Sequence, residues 1–145
     1  MNNEENKTKI RINNGRKEIF DPVRRRYVAF TPEEAVRQTY IRYLIDVLQV
    51  PPVAISVEKK ITYNHLSRRY DIVVFSKDTC LLVVECKAPD VKLSETTLQQ
   101  IGVYNSYLQA KYIILFNGVE ELVFRKGENL YVLQEQLPIY KDMGE

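Results

Sequence analysis

Apolar residues recur along this chain with two different periods, and the changes of period divide it into elements. From Val36 the apolar positions Tyr40, Tyr43, Leu44, Val47 and Leu48 follow at helical spacing, one stripe on an otherwise polar segment. Thr31 is placed to cap this helix, Pro32 suits its first position, and Glu34, three residues after Thr31, completes a capping box. Pro51-Pro52 stops it. Between Val53 and Tyr63 the period drops to two: Ile55 and Val57 alternate with Ser56 and Glu58, then Ile61 and Tyr63 with Lys60 and Thr62, which predicts a strand.

Two nearly continuous apolar runs follow, Tyr70-Asp71-Ile72-Val73-Val74-Phe75 and Cys80-Leu81-Leu82-Val83-Val84-Glu85-Cys86-Lys87, separated by the turn chemistry of Ser76-Lys77-Asp78-Thr79. A second helix is predicted from Ser94 as its cap, with Leu98, Ile101, Asn105 and Leu108 along one face. It leads to a short strand over 111–116, and a right-handed strand–helix–strand crossover sets that strand parallel to the one beginning at Cys80. Asn117-Gly118 marks a turn, and Glu121 to Phe124 with Leu130 to Leu133 add an edge hairpin around Lys126-Gly127-Glu128-Asn129. Ahead of the first helix, Ile19 to Val23 and Arg24 to Phe30 read either as a short hairpin or as an extended lead-in. The expected division is a polar, partly mobile N-terminal segment over 1–18 and a single domain over 19–145.

Composition narrows the function classes. At 145 residues, with 45% apolar and 28% charged, the chain is one globular domain with a core, and no apolar run reaches the roughly 18 residues a membrane span needs. The first residues lack the form of a signal peptide, so a cytoplasmic location without membrane attachment is expected. Cys80 and Cys86 lie about 20 Å apart if they share one strand, too far to bridge. His65 is the only histidine, which leaves no zinc cluster and no histidine-based nuclease site, and no phosphate-binding loop is present. A net charge of +2 permits nucleic-acid binding without arguing for it.

The chemistry concentrates in the two apolar runs. A hairpin turn centred on Asp78 sets residues whose numbers sum to 156 opposite each other, so Phe75 faces Leu81 and Asp71 faces Glu85. Lys87 joins their face by alternation. Like charges opposite one another are unfavourable unless something lies between them, and two carboxylates suit a hard divalent cation, which keeps several waters. The same residues could equally be exposed strand ends, with Lys87 neutralising Glu85.

Asp71, then Glu85-Cys86-Lys87-Ala88-Pro89, then Gln100-Ile101-Gly102-Val103-Tyr104, in this order and within an αβββαβ pattern, resembles the PD-(D/E)xK nuclease superfamily. Thr31-Pro32-Glu33-Glu34-Ala35-Val36-Arg37-Gln38, the strand from Arg69 to Val74, and Tyr112-Ile113-Ile114-Leu115-Phe116-Asn117-Gly118 extend the likeness over about residues 20 to 125. In detail they resemble the N-terminal nuclease domain of type I restriction enzyme R subunits. The resemblance implies an α/β restriction-endonuclease-like fold with a central mixed sheet flanked by helices. It implies Mg²⁺ or Mn²⁺ held by Asp71, Glu85 and the Cys86 backbone carbonyl, with Lys87 positioning water and Gln100 and Tyr104 orienting Lys87 and the substrate.

Nucleic acid, taken as DNA, is the implied substrate, with a restriction-modification or motor partner and a homodimer as expected associations. A helix-one carboxylate often joins such sites. The helical wheel sets Glu33 on the apolar face and Glu34 at its edge, so Glu33 is the expected extra ligand, although the helix dipole also explains it. Arg69, opposite Lys87 across the hairpin, is the expected phosphate contact. Arg24-Arg25-Arg26, Lys59-Lys60 and Arg68-Arg69 are basic clusters that could track phosphates, the first two reading rather as solvated charge runs. The competing readings are a non-catalytic or partner-dependent nucleic-acid-binding module of the same fold, and a structural domain with an internally neutralised charge cluster.

Overall fold

The computed structural model describes residues 9–94 and 108–144. Nine strands and one α-helix are built from them. Strands β1 (Ile10–Asn13), β2 (Arg16–Asp21) and β3 (Arg26–Ala29) form an antiparallel sheet of their own, in that order. The expected boundary at residue 18 therefore falls inside β2. The segment before it read as polar because Ile10 and Ile12 alternate with charged and amide residues on a strand that is exposed throughout. Asn14-Gly15, with φ of 50° and 75°, makes the two-residue turn between β1 and β2.

Helix α1 (Pro32–Arg42) begins where the sequence predicts, with the Thr31 hydroxyl oxygen accepting from the Glu34 amide at 3.0 Å. The other half of the capping box is not made. The Thr31 amide donates to the Ala29 carbonyl, and the Glu34 side chain turns to arginines instead. The helix widens over Tyr43–Val47 into a π turn, seen in the Leu48 amide donating to the Tyr43 carbonyl.

The main sheet has six strands in sequence order: β4 (Ile55–Tyr63), β5 (Leu66–Ser76), β6 (Thr79–Cys86), β7 (Tyr112–Phe116), β8 (Glu121–Lys126) and β9 (Tyr131–Gln134). All neighbours are antiparallel except β6 and β7, which run parallel as the crossover requires. Strands β5 to β7 are buried on both faces, which explains their continuous apolar runs. On one face Ile72, Val74, Val84 and Ile114 pack under Val36, Tyr40, Ile41 and Leu44 of α1 and its π turn. On the other, Tyr70, Val73, Val83, Ile113 and Leu115 form a second cluster with Ile61. The expected second helix lies almost wholly within 95–107, outside the described residues, as do Gln100 and Tyr104.

Two irregularities alter the simple alternation. A bulge between Val74 and Phe75 pairs Phe75 with Cys80 rather than Leu81, while Ile72 still faces Val84 on the predicted register. At Asp71 the faces exchange: Ile72 and Val74 pack toward α1, but Tyr70 packs with Val73 on the far side. Strand β4 does the same, with Ile55 on the helix side and Ile61 opposite. Glu58, at φ 53°, lies between the paired residues Val57 and Lys59, facing the same break.

Candidate active site

Asp71 and Glu85 come together where β5 and β6 leave the bulged hairpin, under the N-terminal half of α1. Both oxygens of Asp71 are gripped. Oδ1 accepts from Arg37 Nη2 at 3.0 Å and Oδ2 from the Cys86 amide at 2.9 Å. Oε1 of Glu85 pairs with Arg68 Nη2 at 3.0 Å and with Lys87 Nζ at 3.5 Å. The second oxygen, Oε2, is buried and has no hydrogen-bond partner among the described residues. Burial, and after it the charge of Asp71, push the Glu85 carboxyl above its ordinary value, against the opposing influence of Arg68 and Lys87.

Lys87 is fixed at its root and free at its tip. Its amide donates to the Phe116 carbonyl at 2.9 Å, extending the β6–β7 ladder by one bond, while a third of its side chain meets solvent. The residue can therefore reach a ligand lying over Glu85 without moving the sheet.

The exchange of faces at Asp71 explains why Arg68, and not Arg69, lies beside Glu85. Alternation carried through Asp71 sets Arg69 beside the site, but Arg69 is exposed and Arg68 approaches Glu85, its guanidinium 5.3 Å from the Tyr70 ring centre. Glu33 is not on the buried side of α1 where the wheel sets it, although its charge reaches Cys86. It is exposed, and Glu34 is the buried carboxylate, because α1 presents 34, 37, 38 and 41 to the body of the protein. From Cys86 the structure uses the amide, which orients Asp71; both cysteine thiols are buried.

Behind Asp71 runs a chain of alternating charges. Arg37 Nη1 binds Glu34 Oε2 at 2.5 Å, Glu34 Oε1 is held by Arg24, and Arg24 Nε meets Asp21 Oδ2 at 2.7 Å. Gln38 donates to both Asp21 and Glu34. Glu58 lies 3.5 Å from both Arg24 and Arg37. Burial works to lower the Arg37 guanidinium, but Asp71, Glu34 and Glu58 outweigh it and hold it above its usual range. Burial likewise works to raise Asp21, and the amide and guanidinium of Arg24 with the Val23 amide hold it below the usual carboxylate value.

The sequence offers Glu34 as the lesser of two helix-one carboxylates and Arg24 and Arg68 within basic clusters, but it gives Arg37 and Gln38 no role in the site. The available signal was positional: Glu34, Arg37 and Gln38 are spaced i, i+3 and i+4, on the side of α1 that also carries Ile41.

The donor set can be matched against a metal ion. Among the described residues no group of three or more His, Cys, Asp or Glu side chains is arranged to hold one, which disfavours a closed protein cage. Two hard carboxylates, one with an unpartnered buried oxygen, fit the habit of Mg²⁺ and Mn²⁺ of taking one or two carboxylates and completing their shell with water and phosphate. No helix among the described residues is long and apolar enough to cross a membrane.

A family model described as type I restriction enzyme R protein N terminus matches residues 32–138. Among solved structures, a protein of DUF820 from Anabaena variabilis ATCC 29413, whose own description is of a candidate nuclease, is similar at a TM-score of 0.50 and 14% identity. The match covers 85% of this chain and 74% of that one. At that identity the likeness is one of fold. No curated protein matches the sequence.

Proposed function

The chain belongs to the family of type I restriction enzyme R protein N termini, and from that premise we propose that it hydrolyses phosphodiester bonds of DNA with a divalent metal ion. The observation that carries the reading is the carboxylate pair: Asp71 beside Glu85, with Glu85 Oε2 buried and unpartnered among the described residues and Lys87 3.5 Å from the other oxygen. Asp71, Glu85 and the Cys86 carbonyl would hold Mg²⁺ or Mn²⁺. Bound there, the ion supplies Lewis-acid polarisation of a phosphoryl oxygen and a more acidic water.

The chain's own residues account for the rest. Arg37 and the Cys86 amide fix the plane of the Asp71 carboxylate. Arg68 and Lys87 offset the charge of Glu85 until substrate arrives. Lys87 Nζ, on its solvent-reaching stem, then donates to the phosphate as negative charge develops on it and orients the attacking water. Gln100 and Tyr104 keep the role that family resemblance gives them, orienting Lys87 and the substrate.

The test is cleavage of supercoiled plasmid and labelled single-stranded DNA with Mg²⁺ or Mn²⁺ by wild type and Lys87→Ala prepared identically. Cutting by wild type alone, with both proteins equally folded by circular dichroism, is the expected result. Metal-dependent cutting by folded Lys87→Ala refutes the mechanism. DNA binding without cutting by either protein selects instead a binding module that works with a partner, the reading favoured by the neutralisation of the pair by Arg37, Arg68 and Lys87.

A further inference from the structure

The three-stranded sheet over 10–29 precedes the region matched by the family model, and its charge differs from the rest of the chain. Residues 9–30 contain seven Lys and Arg against two Asp and Glu, a net +5 within a chain of net +2, so the remainder is net −3. The two acids are both internal to the sheet's own structure: Asp21 is fully buried under Arg24, and Glu18 is bound by Arg11 at 2.8 Å. Six cations, Lys9, Arg11, Arg16, Lys17, Arg25 and Arg26, are exposed.

The registers of β1 with β2 and β2 with β3 place Arg11, Arg16, Glu18, Phe20 and Tyr27 on one face, and no member of that face is buried. The opposite face carries Ile19 and Asp21, both buried. On the open face the cations are held in place by rings. The Arg11 guanidinium lies 3.9 Å from the centre of Tyr27, Lys9 Nζ is 5.7 Å from that of Phe20, and the two rings meet edge-on at 5.3 Å. A guanidinium stacked on a ring loses little rotamer freedom on meeting an anion, and the bond of Arg11 to Glu18 is made through Nε alone among the described residues.

The sheet is also bolted to the active site. Arg24, in the turn between β2 and β3, joins Asp21 to Glu34, and Glu34 to Arg37 to Asp71 completes the connection through buried groups.

We infer that the open face of this sheet is the surface on which the phosphate backbone of the DNA substrate docks, holding the strand at a fixed place relative to Asp71 and Glu85. The inference rests on the nuclease reading for the identity of the polyanion. Charge complementarity selects the occupant: a row of pre-positioned cations on a domain whose remainder is acidic matches a polyphosphate. Arg24 contributes the anchoring, not the binding, because its guanidinium is committed to Asp21 and Glu34.

The experiment is fluorescence anisotropy with a labelled DNA duplex in EDTA, which prevents cleavage, over a series of salt concentrations. It compares wild type with the triple variant Lys9→Gln, Arg11→Gln and Arg16→Gln, the cations of the open face. Each phosphate contact contributes about 0.9 to the slope of log K against log salt, so the variant is expected to lose a slope of about 3 and to bind roughly 100-fold more weakly near about 0.1 M salt. Its cleavage rate at saturating DNA stays that of wild type, because none of the three residues touches the site.

If the triple variant unfolds, Arg16→Gln alone, at the exposed hairpin end, reads about one third of the slope change. Unchanged slope and affinity in a folded variant overturn the docking surface while leaving the nuclease reading intact, as does a wild type that binds no DNA but cuts it. Binding that depends on the sheet by a wild type that never cuts keeps the surface and removes the nuclease.

Discussion

Replacing Arg37 with methionine removes the one side chain that joins the site to the charge chain behind it. Methionine retains much of the apolar stem, so lost packing is a minor part of the effect. The guanidinium touches Glu34 at 2.5 Å, Asp71 at 3.0 Å and Glu58 at 3.5 Å, and its side chain is only 7% exposed. Breaking a buried pair by removing one partner costs about 3–5 kcal/mol. Glu34 keeps Arg24 and Gln38, and Glu58 is 38% exposed, so the cost falls chiefly on Asp71 and belongs at the lower end, about 3 kcal/mol.

For 145 residues, about 2.1 cal/mol/K of unfolding entropy per residue converts 3 kcal/mol into a fall of roughly 10 °C in Tm. The assay is urea and thermal unfolding at neutral pH, repeated in an Asp71→Asn background. There the carboxylate that Arg37 compensates is already gone, so Arg37→Met is expected to cost only about 1 kcal/mol, a coupling of about 2 kcal/mol. Additive costs for the two substitutions would refute the argument that Arg37 acts through the Asp71 charge.

Two other consequences are open to measurement. Leu44→Ala, at a fully buried position where α1 passes into its π turn, should destabilise by about 2–5 kcal/mol in urea titrations, and a loss below about 1 kcal/mol would mean the turn repacks. The carboxyls of Glu85 and Glu121 are raised by burial, so the folded state binds those protons more tightly than the unfolded chain. Their contribution is fully present below the ordinary glutamate value of 4.5 and is lost as pH rises through the raised folded values. Stability in EDTA should therefore decline with rising pH over that window, less steeply in Glu121→Gln; an identical slope in the variant would contradict the assignment.

The parts of the fold legible in the sequence were those set by one strong local signal. Thr31-Pro32 fixes where α1 starts, the buried runs fix β5 and β6, and the crossover rule fixes β7 as parallel. What escaped was decided by tertiary context. Ile10, Ile12 and the Asn14-Gly15 turn carry a hairpin signal, yet the dense polar residues around them read as a tail. Glu33 and Glu34 differ by only 100° on a wheel, and the π turn and the arginines packed beneath α1 decide which one is inside.

Arg68 rather than Arg69 lies against Glu85 because strict alternation fails at Asp71, and nothing local in the run Arg68-Arg69-Tyr70-Asp71-Ile72 announces that. The break is shared by two strands, at Glu58 and at Asp71, and so belongs to their pairing.

That break also separates a charge cluster that only holds the fold together from one shaped for a ligand. An internally neutralised cluster would satisfy its carboxylate oxygens, since an unmade buried hydrogen bond costs about 1–3 kcal/mol and more for a charged group. Here Asp71 is satisfied twice, Glu34 and Asp21 are satisfied by several donors each, and Glu85 Oε1 has two cations. Among the described residues Glu85 Oε2 is the one carboxylate oxygen buried without a partner, although Arg68 and Lys87 stand within reach of its twin. The two cations crowd one oxygen and leave the other, next to a second carboxylate whose orientation is fixed from behind. Burial and the neighbouring Asp71 charge raise the energy of the ionised pair, and either a proton on Glu85 or a hard cation with room for further oxygen ligands would relieve it.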